Sequence, residues 1–168
     1  MPSDRSSAHS SSGGRARHDH DAYVRDLPPT PRPAGAYVPV TEAGALAFTA
    51  GHTHAVRGAL DHRGAVGTSD GPTTEQAREC ARLAVRNCLA SLAHHLGGLA
   101  RVERVVSMTG YVAATPGFTG HPAVLDGASA ELLEAFGEDG RPSRAAVGVT
   151  GLPDGAVVEV SLVVTVRP

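Results

Sequence analysis

Two side chains near the C-terminus offer the clearest chemistry in this chain. Arg144 heads a run of small and β-branched residues, Glu159 interrupts a second such run, and Leu152-Pro153-Asp154-Gly155 lies between them. The Pro-Asp-Gly turn predicts a β-hairpin. Side chains alternate along a strand, so Arg144, Ala146, Gly148 and Thr150 share one face, where the small residues leave space beside the guanidinium. A turn centred near residues 153 and 154 pairs even positions with odd ones, which puts Arg144 and Glu159 on the same side of the sheet. One such pair can grip an anionic ligand with the guanidinium and move a proton with the carboxylate. The same two residues can equally form a structural ion pair, or edge charges that discourage aggregation.

Other reaction classes find less support. All 15 cationic side chains are arginine, so a Schiff-base lysine and a P-loop are both excluded. The strand-to-helix nucleophile elbow of a serine hydrolase is not expected, because the string Gly67-Thr68-Ser69-Asp70-Gly71 falls in the Gly- and His-rich loop stretch. His52, His54 and His62 cluster in a Gly-rich stretch, but without a cysteine partner or a recognised zinc spacing, and no metal is expected. The two cysteines, Cys80 and Cys88, fall on one helical stripe about 12 Å apart, too far for a bridge. They read as free buried thiols of a reducing compartment.

The elements that must position these residues follow from periodicity. Residues 1–26 are Ser-, Gly-, Arg- and His-rich and read as a disordered leader, with residues 27–168 as a single domain. "LPPTPRPAG" should run extended over the surface. Strands are expected over 36–40 and 45–51, around a turn at Thr41–Gly44. Thr73-Thr74-Glu75-Gln76 fits a capping box ahead of a helix whose stripe runs Ala77, Cys80, Ala81, Ala84, Cys88, Leu92, Leu96, stopped by Gly97-Gly98. A valine-rich strand over 101–114 and a second helix over 123–137 precede the hairpin. The order β-β-(β)-α-β-α-β-β implies an α+β layer, a mixed sheet with two helices on one face. A net charge of −2 and few aromatics argue against a nucleic-acid surface. Neither a membrane span nor a signal-peptide core is visible, and a cytoplasmic protein is expected.

"SRAAVGVTGLPDGAVVEVSLVV" resembles the C-terminal signature of the RidA (YjgF) family. "GAYVPV", "LAFTAGH" and the helix around Asn87 resemble that family's other segments in the same order, over about residues 28–166. The resemblance implies a chorismate-mutase-like fold assembled as a homotrimer with clefts between subunits and no cofactor. It implies hydrolysis of reactive enamine or imine acids, such as 2-aminoacrylate, to a 2-keto acid and ammonia. Carried over, Arg144 holds the substrate carboxylate and Glu159 positions or activates water. Tyr37, Gly51 and Ala146 line the cleft. Ala50 stands where the best-known members carry serine, Ala146 replaces a frequent cysteine, and the longer segment over 115–142 resembles a longer branch of the family. The alternative is a non-catalytic trimer that binds a small carboxylic acid or a pathway-partner protein. Ribonuclease activity, suggested by some family names, fits the charge balance least.

Overall fold

The computed structural model describes residues 19–168. Its elements are α1 (His20–Arg25), β1 (Val40–Ala43), β2 (Leu46–Thr49), β3 (His52–Thr53), α2 (Thr74–Leu96), β4 (Val102–Ala113), α3 (His121–Phe136), β5 (Ser143–Val149) and β6 (Val158–Val166). They form a mixed six-stranded sheet of order β1-β2-β6-β4-β5, with β3 also paired to β6. The two long helices lie on one face, as the α+β reading expects.

The long helix starts where its sequence says. Thr73 accepts a hydrogen bond from the Gln76 N–H at 3.2 Å, and the Gln76 side chain accepts one from the Thr73 N–H at 2.9 Å. Such a cap is worth about 1 kcal/mol. Gly97 ends the helix in the left-handed region at φ 73°. The expected stripe is buried in full, and it faces Val160, Leu162 and Val164 of β6 and Val105, Met108 and Val112 of β4. At Gly110 a side chain would collide with Leu125, so glycine lets α3 sit close on the sheet.

Three expectations are corrected. The first concerns the leader: residues 1–18 lie outside the described residues, but within 19–26 the chain forms α1 instead of running irregularly. Asp19 caps this helix by accepting from the Ala22 N–H at 2.9 Å, while Tyr23, Val24 and Leu27 rest on the core. The second concerns the first strand, which begins where the expected one ends. Residues 36–39 are bent by a Tyr37 N–H bond to the Gly35 carbonyl (2.9 Å), and β1 occupies the stretch read as a turn. The actual turn is Gly44-Ala45, with Ala43 opposite Leu46 and Gly44 at φ 62°.

The third correction matters most. β5 and β6 do not form a hairpin. β5 runs parallel to β4 at the sheet edge, and β6 runs antiparallel to β4 on its other side. The Pro153–Gly155 turn carries the chain across the end of β4, with Asp154 at φ 55°. A turn reverses direction, but it does not decide whether the returning strand pairs with its neighbour or passes over it. Here β4–α3–β5 is a parallel crossover, which leaves the other side of β4 open for β6.

Candidate functional site

The strand order separates the two residues that sequence analysis brought together. Arg144 stands opposite Met108, whose side chain is buried under the helices, so Arg144, Ala146 and Gly148 face α3. Glu159 stands opposite Tyr111, three positions further along β4 and therefore on the other face. Within one chain Arg144 and Glu159 do not meet.

Arg144 is engaged locally. Its Nη1 donates to Asp126 Oδ1 at 2.8 Å and to Ser129 Oγ at 2.9 Å, both on α3. The space expected beside it is filled by the helix: a side chain at Gly148 would collide with His121, and Ala146 rests against the core. The small residues of β5 therefore admit α3. Among the described residues β5 pairs on one side only, and Val147 is exposed on its face away from the helices.

Glu159 opens into a cleft of about 910 Å³ that also holds Tyr37, Ala50, Gly51 and Asn87. The cleft exists because the strand beside β6 is broken. β2 pairs with β6 as far as Phe48 opposite Val163, and pairing resumes with His52 opposite Val160, leaving an extra residue on the outer strand. At this bulge the Ala50 N–H turns away to the Pro39 carbonyl at 2.8 Å, and Thr49 Oγ1 accepts from the Leu162 N–H at 2.9 Å. Gly51 fills the gap against Glu159, and a β-carbon there would collide with the carboxyl group. Half withdrawn from water, the Glu159 carboxyl is pushed above the ordinary carboxylate value by burial.

The remaining walls come from segments that sequence analysis treated as scaffold. Pro29, Pro31 and Arg32 of the proline-rich segment form one side, and Tyr37 is fixed to it by the Ala34 N–H donating to its hydroxyl at 3.3 Å. Arg57 and Asp154 contribute from two turns. Asn87, 1% exposed on α2, donates both amide hydrogens at 2.8 Å, to the carbonyls of Thr53 and Ala55. The signals for these residues were a four-proline segment and an Arg-Gly turn, neither of which points to a cleft without the fold.

Other candidates are quiet. Cys80 and Cys88 are free and buried, with thiols pushed up to about 12 by burial. His52 lines the cleft but is buried, and its imidazole is held down at about 4 by burial, so it is neutral. Among the described residues no group of three or more His, Cys, Asp or Glu is placed to hold a metal ion, and no helix is long and apolar enough to cross a membrane.

Comparison with known proteins agrees with this fold. Residues 21–165 match the family described as "YjgF/chorismate mutase-like, putative endoribonuclease". The crystal structure of Atu1372 from Agrobacterium tumefaciens, whose function is described as unknown, is 34% identical with a TM-score of 0.76, over 81% of this chain and 86% of that one. A Shewanella oneidensis protein described as a putative endoribonuclease is 30% identical with a TM-score of 0.79, over 84% and 92% of the two chains. Protein TCP17 of Trypanosoma cruzi is 41% identical over 93 residues, which span 55% of this chain and 58% of that protein. The chain belongs to the YjgF/chorismate mutase-like family.

Proposed function

We propose that this protein hydrolyses reactive enamine or imine acids of the 2-aminoacrylate type to a 2-keto acid and ammonia. The observation that carries the proposal is the Glu159 carboxyl, lifted above its ordinary acidity range by burial and facing a cleft across Gly51. A carboxyl group tuned upward works closer to neutral pH as a general acid and base. In its carboxylate form Glu159 takes a proton from water as the oxygen bonds to the imine carbon. The C=N electron pair moves to nitrogen, which takes that proton from Glu159 and gives the carbinolamine. Glu159, again a carboxylate, then accepts the hydroxyl proton and passes it to the amine nitrogen. The C–N bond breaks, ammonia leaves, and the carbonyl of the keto acid remains. The imine carbon is already electrophilic, so positioning and proton management suffice.

Arg144 would hold the substrate carboxylate with its planar fork. It lies on the face opposite Glu159, so both can act on one substrate only when two copies of the chain combine. The open edge of β5 supports such an assembly, and a homotrimer with one cleft per interface is its closed form. The Asp126 pair at Arg144 favours a second reading, a trimer in which Arg144 is structural and the cleft only binds a small carboxylic acid.

The test couples a serine dehydratase, as source of 2-aminoacrylate, to this protein with semicarbazide as trap. Wild type should speed pyruvate release, and Arg144→Ala and Glu159→Ala should each abolish the gain. Co-expressing the two variants should restore activity to about a quarter of wild type, since one random interface in four then carries both residues. Loss in Glu159→Ala with full activity in Arg144→Ala would remove the shared cleft. No acceleration by folded wild-type protein would favour the binding role.

A further inference from the structure

We propose that the Glu159 cleft contains a second anion position, formed by Arg57 and Arg32, which selects ligands bearing an acidic group at the end remote from the 2-keto or imine carbon. The proposal rests on the reading of this cleft as the substrate site, with Arg144 left to the first carboxylate.

Arg57 is placed at some conformational cost. It and Gly58 form the corners of a two-residue turn closed by the Val56 N–H to Ala59 carbonyl bond (2.9 Å) and the Ala59 N–H to Val56 carbonyl bond (3.0 Å). Both corners have positive φ, 53° at Arg57 and 81° at Gly58. Asn or Gly fills such corners most easily, whereas here one carries an arginine. The root of the turn is fixed by Asn87, whose two bonds hold the Thr53 and Ala55 carbonyls. Because both amide hydrogens are used, Asn87 Oδ1 is left as the acceptor, buried and without a partner at the cleft wall. A ligand N–H or O–H there would satisfy it.

Arg32 comes from the proline-rich wall, where Pro31 and Pro33 restrict the backbone on either side. Most of the described arginines are already matched to a carboxylate, among them Arg82, Arg86, Arg101, Arg104 and Arg144. Arg32 and Arg57 have no ion pair or hydrogen bond among the described residues, although Glu159 and Asp154 line the same cleft. Two unmatched guanidiniums in one concave site suit an anion that the ligand itself brings. A volume of about 910 Å³ also exceeds the need of a three-carbon acid.

The experiment is calorimetric binding of three stable keto acids to the full chain: 2-oxobutanoate, 2-oxoglutarate and 3-phosphohydroxypyruvate. Wild type should bind at least one of the two doubly acidic ligands about tenfold more tightly than 2-oxobutanoate. Which one is preferred tells whether the remote group is carboxylate or phosphate. Arg57→Gln should abolish the preference, Arg57→Lys should keep part of it, and Arg32→Gln should weaken it. Equal binding of all three by wild type, no binding of any, or a preference unchanged in Arg57→Gln would overturn the proposal. Binding needs no turnover, so failure of the deaminase assay is read separately from failure here.

Discussion

Glu131 and Glu159 are both carboxylates drawn out of water, yet their acidities move in opposite directions. Glu131, on α3, has a side chain with no exposure at all. It accepts from the Tyr23 hydroxyl of α1, from Arg82 Nε at 2.6 Å and from Arg86 Nη1 at 2.8 Å. Burial alone would push it up, but these three donors together hold it below the ordinary value. Arg86 continues to Asp26 at 2.8 Å, so one network ties α1 to both long helices. Glu159 has burial without donors and is pushed up. A saturated carboxylate holds structure together, whereas an unsaturated one is left able to exchange a proton.

The sharpest way to break that contrast is to neutralise each in turn. Glu159→Gln should lower deaminase turnover by about 10²- to 10⁴-fold, as loss of a general base does, with no loss in the urea midpoint. Glu131→Gln should do the reverse. It leaves Arg86 short of a partner and should cost about 2–3 kcal/mol in urea denaturation, less than a fully enclosed pair because Arg82 is partly exposed. If Glu131→Gln abolished turnover without loss of stability, the division between the two glutamates would fail.

Acid sharpens the comparison. Glu131 titrates lower in the folded chain than in the unfolded one, so its contribution is present above the ordinary carboxylate range and is lost as pH falls through its folded value. Glu159 runs the other way: the folded state holds its proton more tightly, and stability falls as pH rises through the raised value. His52 is held near 4 against an ordinary 6.5, so its contribution is complete above 6.5 and drains as pH drops toward 4. The unfolding free energy from urea titrations over that window should fall by up to about 1.4 kcal/mol per pH unit for this one group, and His52→Asn should flatten the slope.

The smallest effect expected is at Gly51. Alanine there must push the Glu159 carboxyl aside, an adjustment at the tip of a flexible side chain. Turnover should drop about tenfold while stability changes by less than about 1 kcal/mol. Retained turnover in Gly51→Ala would mean that the carboxyl position in the cleft is not critical.

Local sequence already determined much of the molecule. The capping box at Thr73, the buried stripe from Ala77 to Leu96, the left-handed stop at Gly97 and the valine-rich strands β4 and β6 stand as expected. These features are short-ranged: a cap bonds three residues away, and an apolar face follows from the helical or strand period. What only tertiary structure decided was partnership. The Pro-Asp-Gly turn near 154 suited a hairpin equally well, but β4 offers two sides, and α3 returns the chain to one of them before β6 arrives at the other. Insertion of β4 between β5 and β6 put Arg144 under α3 and left Glu159 on the opposite face beside Gly51. The proline-rich segment and the Arg57 turn likewise became cleft walls only when the β2–β3 bulge opened space beneath them. Pairing between distant strands is settled by which arrangement buries the apolar faces together, and no window of neighbouring residues contains that sum.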